Sequence, residues 1–277
     1  MRINRASQAF SLLEMMVAVT LLTVIISALL GMFYQTQRAF RQSATQTDVL
    51  EGGRASMELM TSELSEISPS YQIGQLNLYA STAYSLIQPR PSPAAPRLNL
   101  IQDIFFLRRH NDDWIGTGYF VLPLTNTMDP IGTLYRFEMS TNDPGQINKL
   151  FLKFLAETKQ YPPYQFSHRI IDRVVNLLLT PYDTRGQFLT NLVDISASFT
   201  NSFTNNVLPG YLDLELGIFE PRAYERYKAL AELPPPRAFN YLSNHVEKVH
   251  LFRQRVPVPA AVSTFVAVGT NIQWIVP

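Results

Sequence analysis

Hydrophobic and polar positions divide the chain into three regimes. Met15 to Tyr34 is an apolar run of twenty residues without a charge (MMVAVTLLTVIISALLGMFY), and Thr20, Thr23 and Ser27 are its only hydroxyls before Tyr34. At a helical rise of ~1.5 Å per residue this run spans about 30 Å, the thickness of a bilayer core. Gln35 to Leu50 is polar with scattered apolar residues and no proline. Gly52-Gly53 predicts a break or kink, because glycine costs about 1 kcal/mol inside a helix. Beyond it, Met57, Met60, Leu64 and Ile67 recur at three- and four-residue spacing, one face of a helix, and Pro69 ends the pattern. One long helix over about residues 11–67 is expected, and the apolar stripe of its second half needs a cover.

The remainder reads as short strands between turns. Residues 69–97, with Pro89-Arg-Pro-Ser-Pro-Ala-Ala-Pro-Arg97, predict a loop or linker. Strand-like runs follow at Ile104–Leu107, Tyr119–Leu122, Thr133–Ser140, Leu150–Leu155, Arg169–Leu179 and Val193–Phe199. Turn residues separate them, among them His110–Asp113, Asn126–Pro130, Asn142–Gly145 and Pro181–Gly186. Leu212, Leu214, Leu216 and Ile218 alternate with Asp213, Glu215 and Gly217, a strand with one buried and one wet face. Pro221 to Leu233 predicts a short helix, ended by Pro234-Pro-Pro236. Residues 240–256 fit a helix or a strand equally. Val262 to Val276 is β-branched and reads as a closing strand. The fold class is α+β, a long N-terminal helix on a largely antiparallel sheet.

Composition narrows the function classes. With 23 basic and 22 acidic residues the net charge is +1, so bulk nucleic-acid binding is not expected. Hydrophobic residues make up 46%, enough for a real core. The absence of cysteine excludes disulfides, thiolate metal sites and a thiol nucleophile. Neither Gly-x-Ser-x-Gly nor His-Glu-x-x-His occurs, and Gly116-Thr-Gly118 lacks the rest of a phosphate loop. The chain reads as a non-enzyme. His110, His168, His245 and His250 read as structural or surface residues.

The first 37 residues hold only three charges, Arg2, Arg5 and Glu14. The arginines precede the span, which places the start in the cytoplasm and the body across the membrane. Glu14 is out of place in a plain anchor. An ionised carboxylate costs ~2.5–3.5 kcal/mol at mid-membrane, less near the edge, and needs a partner. The run Ala9-Phe10-Ser11-Leu12-Leu13-Glu14 resembles the class III signal of type IV pilins and type II secretion pseudopilins. In that family a basic leader ends at a small residue, the mature chain begins with Phe, and Glu is its fifth residue. The resemblance implies a leader of residues 1–9, cleavage by a prepilin peptidase between Ala9 and Phe10, and N-methylation of Phe10. Ala9 stands where glycine is usual. The implied ion pair joins Glu14 to the Phe10 ammonium of a neighbouring subunit, a charge-assisted contact.

The resemblance divides the chain into a membrane and filament-core helix (10–34), its amphipathic continuation (35–68), the Pro-rich region (69–97) and a periplasmic body (98–277). A body this large is similar to a minor subunit. The run Leu208 to Ile218 is similar to the late strand of the J-type minor pseudopilins and W-type minor pilins. The implied partners are the prepilin peptidase, other major and minor subunits, inner-membrane lipid and the secretion assembly platform. The implied role is a filament subunit at the tip or at initiation. The alternatives are a minor pilin of a type IV pilus or DNA-uptake machine, and a membrane-anchored periplasmic binding module or enzyme. No cofactor is expected. Calcium, which pins a loop in some pseudopilins, is the one cation left open, through Asp112, Asp113, Asp143 and Asp183. Residues 222–255 carry seven Lys/Arg against three acids with tyrosines interleaved, which reads as a solvated face or subunit contact before a nucleic-acid surface.

Overall fold

The computed structural model describes residues 11–87, 98–123, 131–160, 163, 165–189, 200–204, 207–231, 241–242, 244–261, 266–268 and 271–273. The chain divides into two compact units, Met1–Asp48 and Val49–Pro277. Helix α1 (Leu12–Ser65) begins in the first and ends in the second. The expected break at Gly52-Gly53 is absent: α1 is continuous over both glycines. A Cβ on Gly53 would lie 2.3 Å from the Phe252 ring and 3.0 Å from Ile218 Cδ1, and one on Gly52 would lie 3.1 Å from Ile171 Cδ1. These glycines let the helix backbone approach the sheet closely, and that contact offsets their helix penalty.

The second unit is built on an eight-stranded sheet. Its strands are β1 (Leu76–Ile87), β2 (Leu98–His110), β3 (Asp113–Pro123), β4 (Gly132–Thr141), β5 (Ser167–Tyr182), β6 (Thr200–Thr204), β7 (Tyr211–Phe219) and β8 (Val249–Pro257), in spatial order β6-β1-β2-β3-β4-β5-β7-β8. All neighbours in that order pair antiparallel. Strand β5 changes its antiparallel partner along its length. Its first half pairs with β4, a bulge at Arg173 (φ 63°) turns it, and its second half pairs with β7. The turned half meets β2 in one parallel bridge, Ile101 to Leu177. Two side chains extend that seam: Leu179 N–H donates to Gln102 Oε1 at 2.7 Å, and Leu100 N–H donates to Asn176 Oδ1 at 3.1 Å.

Strand alternation sorts the core onto two faces. Met57, Met60, Leu64 and Ile67 pack with Ile104, Phe106, Tyr119, Val121 and the buried leucines of β7. The stripe read from sequence is therefore covered by the sheet. On the opposite face Phe105, Leu107, Phe120 and Phe137 meet Ile147, Leu150 and Phe154 of helix α2 (Ile147–Glu157). Helix α3 (Pro221–Ala231) packs Tyr224 and Tyr227 beside Phe219 and Val175.

Several expectations need correction. Leu150–Leu155 is helical, not a strand. A run this apolar is compatible with either period, and the buried set Ile147, Leu150, Phe154 and Glu157 has the helical one. Asp143 starts the turn before it, accepting from Gly145 N–H at 2.9 Å. Gly116 and Gly118 form the floor of α2, where a Cβ would lie 2.9 Å from Leu150 Cβ and 2.4 Å from the Phe154 ring, respectively. Strand β1 occupies much of the segment 69–97 expected as loop. Residues 246–257 resolve the open choice as a 3₁₀ turn (Val246–Lys248) followed by β8. The closing segment holds two short paired strands, β9 (Val266–Val268) and β10 (Asn271–Gln273), not one. The expected strand Val193–Phe199 and the whole Pro-rich run Pro89–Arg97 lie outside the described residues, as do the turn Asn126–Pro130 and the stop at Pro234–Pro236.

Two predictions follow from this packing. Gly53→Ala should destabilise the body by about 1–3 kcal/mol through overpacking against Phe252, seen as a lowered denaturation midpoint of the full chain in detergent. Burial raises the Asp103 carboxyl from 3.8 to about 7. The folded state then holds a proton that the unfolded state releases, so this group lowers stability as pH rises from about 4 through 7. Asp103→Asn should leave stability near pH 4 unchanged and raise it at pH 8.

Candidate functional site

The N-terminus of α1 forms a reciprocal cap. Ser11 N–H and Oγ donate to Glu14 Oε2 at 3.0 and 3.2 Å, and Glu14 N–H donates to Ser11 Oγ at 3.2 Å. This is the Ser-x-x-Glu capping box, which satisfies helix donors that otherwise lack partners. It also places a negative group at the positive end of the helix dipole. Sequence reading assigned Glu14 an intersubunit role and missed this local one, though the Ser11–Glu14 spacing signals it. Among the described residues both bonds to the carboxylate go to Oε2 and none reaches Oε1. Arg2, Arg5, Ala9 and Phe10 lie outside the described residues.

Beyond the cap, α1 is long and apolar enough to cross a membrane. Its large side chains from Leu12 to Tyr34 are exposed. The hydroxyls inside the span are consumed by the helix itself. Thr20 donates to the Val17 carbonyl at 2.8 Å, Thr23 to Val19 at 2.7 Å and Ser27 to Thr23 at 2.8 Å. Internal satisfaction of this kind is what a hydrocarbon environment demands.

In the second unit a charge network joins α1 to the sheet. Glu63 is buried, with its side chain 8% exposed. It accepts from the Tyr119 hydroxyl and from Arg136 Nε at 3.0 Å, and Arg108 Nη2 lies 3.3 Å away. Arg108 reaches Glu66 at 2.9 Å, Glu138 at 2.8 Å and Thr117 Oγ1 at 2.9 Å. Burial, then the charge of Glu63, holds the Tyr119 hydroxyl far above its ordinary range. Burial opposes the Arg136 charge, but the hydrogen bond and charge of Glu63, followed by the charge of Glu138, raise its pKa. These groups are locked by one another, so the cluster is a structural tie. No local spacing could have revealed it, because Glu63, Arg108, Tyr119 and Arg136 come from four elements.

The other sequence candidates are scattered or already engaged. Asp183 Oδ1 accepts from Arg185 and Gln187 N–H at 2.9 and 2.6 Å. Asp112 lies 4.0 Å from Arg109. Among the described residues no group of three His, Cys, Asp or Glu is placed to hold a metal. In the basic segment, Lys228, Lys248, Arg253 and Arg255 pair with Glu225, Glu220, Glu215 and Asp213. The hydrogen bond from Arg255 holds the Asp213 carboxyl below its ordinary range. His245 Nδ1 lies 2.8 Å from the Tyr241 carbonyl, and its ring stacks on Tyr241. His110 and His168 are exposed.

Residues 4–30 match the family model of the prokaryotic N-terminal methylation motif. The match covers Arg5, Ala9, Phe10, the Ser11–Glu14 cap and most of the apolar run. No curated protein and no solved structure matches the chain.

Glu63→Leu should cost about 3 kcal/mol, because it removes the buried carboxylate shared by Arg136, Arg108 and Tyr119 and leaves Arg136 only the half-exposed Glu138. The double change Glu63→Leu with Arg136→Leu should recover a large part of that loss. Chemical unfolding of the full chain, followed by the fluorescence of buried Trp114, measures both.

Proposed function

We propose that this protein, whose N-terminus is that of the type IV pilin and pseudopilin family, is a minor pseudopilin of a type II secretion system. It is a structural subunit without catalytic activity. A prepilin peptidase removes residues 1–9 and methylates Phe10. The helix holds the chain in the inner membrane with its body in the periplasm until the subunit joins a filament. The observation that carries this reading is the methylation motif over residues 4–30 continuing into an exposed apolar helix that begins at a capped carboxylate.

The geometry suggests how Glu14 serves two states. In the single subunit, Ser11 and the helix terminus partly satisfy its carboxylate, so it does not enter lipid without partners. On assembly, Oε1 accepts from the methylated Phe10 ammonium of a neighbour. A charge-assisted bond formed away from water is strong and directional, and it sets the axial register of the entering helix. A large body is tolerated best at a filament tip, where no later subunit packs above it, and this supports a role in initiation.

The first test is the mass of the mature N-terminus in cells with and without a prepilin peptidase. N-methyl-Phe10 should appear only with the enzyme, whereas an intact Met1 in both would leave a simple membrane anchor. Glu14→Gln should be processed normally and keep the cap, since Gln accepts as Glu does, yet it should assemble at least tenfold less well for lack of charge. Wild-type assembly of the Gln variant would remove the ion pair from the mechanism.

A further inference from the structure

The sheet has an open edge beside α1. Strand β8 ends the strand order, and no described strand pairs with its far side. It has nine residues, against five in β6, the other outer strand. It pairs with β7 in unbroken register and holds no proline before its last residue. Short length, a bulge and an interior proline, common protections of an edge, are therefore absent. Val258 N–H donates to the Gly210 carbonyl at 3.0 Å, and Glu220 N–H donates to the Lys248 carbonyl at 2.9 Å. Even-numbered backbone groups of this strand thus point towards β7, and by alternation the N–H and C=O of Leu251 and Arg253 point outwards.

A groove of about 540 Å³ runs along this edge. Residues 251–254 of β8 line it consecutively. Their side chains alternate between the two faces, so what they share is the backbone edge. The other wall is one face of α1, where Arg54, Met57, Glu58 and Thr61 recur at three- and four-residue spacing. Each wall is about 10 Å long, room for about three residues of extended chain. Buried Met57 and half-buried Phe252 supply an apolar floor. Arg54 and Glu58 are exposed and have no ion-pair partner among the described residues. Arg253 is turned back to Glu215 at 2.9 Å.

We propose that the β8 edge binds an extended, acidic peptide segment of another protein as an added strand, with an apolar side chain on Met57 and Phe252 and a carboxylate at Arg54. This surface is independent of the filament reading. A row of outward amides and carbonyls selects peptide backbone, which lipid and nucleic acid do not offer. Charge selects the side chains. Strand β8 carries His250, Arg253 and Arg255 and no acid, and in the groove Arg54 and Arg253 stand against the single acid Glu58. A second copy of β8 on the same edge would set arginine against arginine, which is unfavourable across a strand pair. The chain's own continuation leaves β8 on its paired side. After Val258, which is bonded to Gly210, Ala261 N–H closes a turn on the Val258 carbonyl at 3.1 Å.

The probe is a fluorescein-labelled heptapeptide, Thr-Val-Thr-Glu-Thr-Val-Thr, added to the full-length chain in detergent. Its palindromic sequence makes strand direction irrelevant, and its valines and glutamate share one face. Amide hydrogen exchange reads the edge. In the free chain Leu251 and Arg253 should exchange at least tenfold faster than Phe252 and Gln254, and saturating peptide should slow them at least tenfold. By fluorescence anisotropy, N-methylation of the alternate set of peptide amides that faces β8 should weaken binding at least tenfold, and methylation of the other set should not. Lys in place of the peptide's Glu should weaken binding at least threefold. Arg54→Glu, at an exposed position, should reverse that preference without moving the unfolding midpoint. Protection of Leu251 and Arg253 in the free chain would show the edge already covered, by residues 262–277 or by a second copy, and would overturn the proposal. So would unchanged exchange with peptide present, no binding at millimolar peptide, equal binding of both N-methylated sets, or equal affinity for the Glu and Lys peptides.

Discussion

The body depends on how closely α1 approaches its sheet. At Gly52 and Gly53 no side chain separates the helix backbone from Ile171 and Phe252. That approach brings Met57, Met60 and Leu64 into full contact with β2, β3 and β7. It also carries Glu63 out of water, and a carboxylate so placed requires partners. Arg136, Arg108 and Tyr119 supply them from three strands. The close packing and the ionic tie are therefore one arrangement. The glycines make the distance short, and the charges tie the helix to three strands at that distance.

The same helix meets a different demand in its first half. There the apolar side chains are exposed and the hydroxyls turn back onto the helix. Its one carboxylate sits at the N-terminal cap, where dipole and hydroxyl both favour it. Glu14 and Glu63 thus find their partners by different routes. One is partnered within three residues, and the other only by the folded body.

The sheet's irregularities have physical causes as well. The bulge at Arg173 lets β5 leave β4 and continue along β7, which bends the layer towards β2. Where the two strands meet, one bridge cannot satisfy the exposed amides. Gln102 and Asn176 accept from them, so side chains take over the role of the ladder. The face opposite α1 is completed by α2 over the glycine floor of β3 and by α3 beside Phe219.

By itself the sequence determined what depends on neighbours along the chain. The charge-free run, the 3–4 spacing of Met57 to Ile67 and the alternation of Leu212 to Ile218 each impose a local periodicity, and each element formed as its period requires. The methylation motif over residues 4–30 was legible for the same reason, being contiguous. Tertiary structure decided what local pattern left degenerate. Leu150–Leu155 is apolar enough for either period, and became helical because the floor at Gly116 and Gly118 accepts a helix. Gly52-Gly53 has low helix propensity, but close contact with the sheet outweighs it. Strand β1 was hidden in a neutral segment without strong alternation and exists through pairing with β2 and β6. The Glu63 network could not be read in advance, because its members lie far apart in sequence and meet only after the sheet has brought Arg108, Tyr119 and Arg136 beneath the helix.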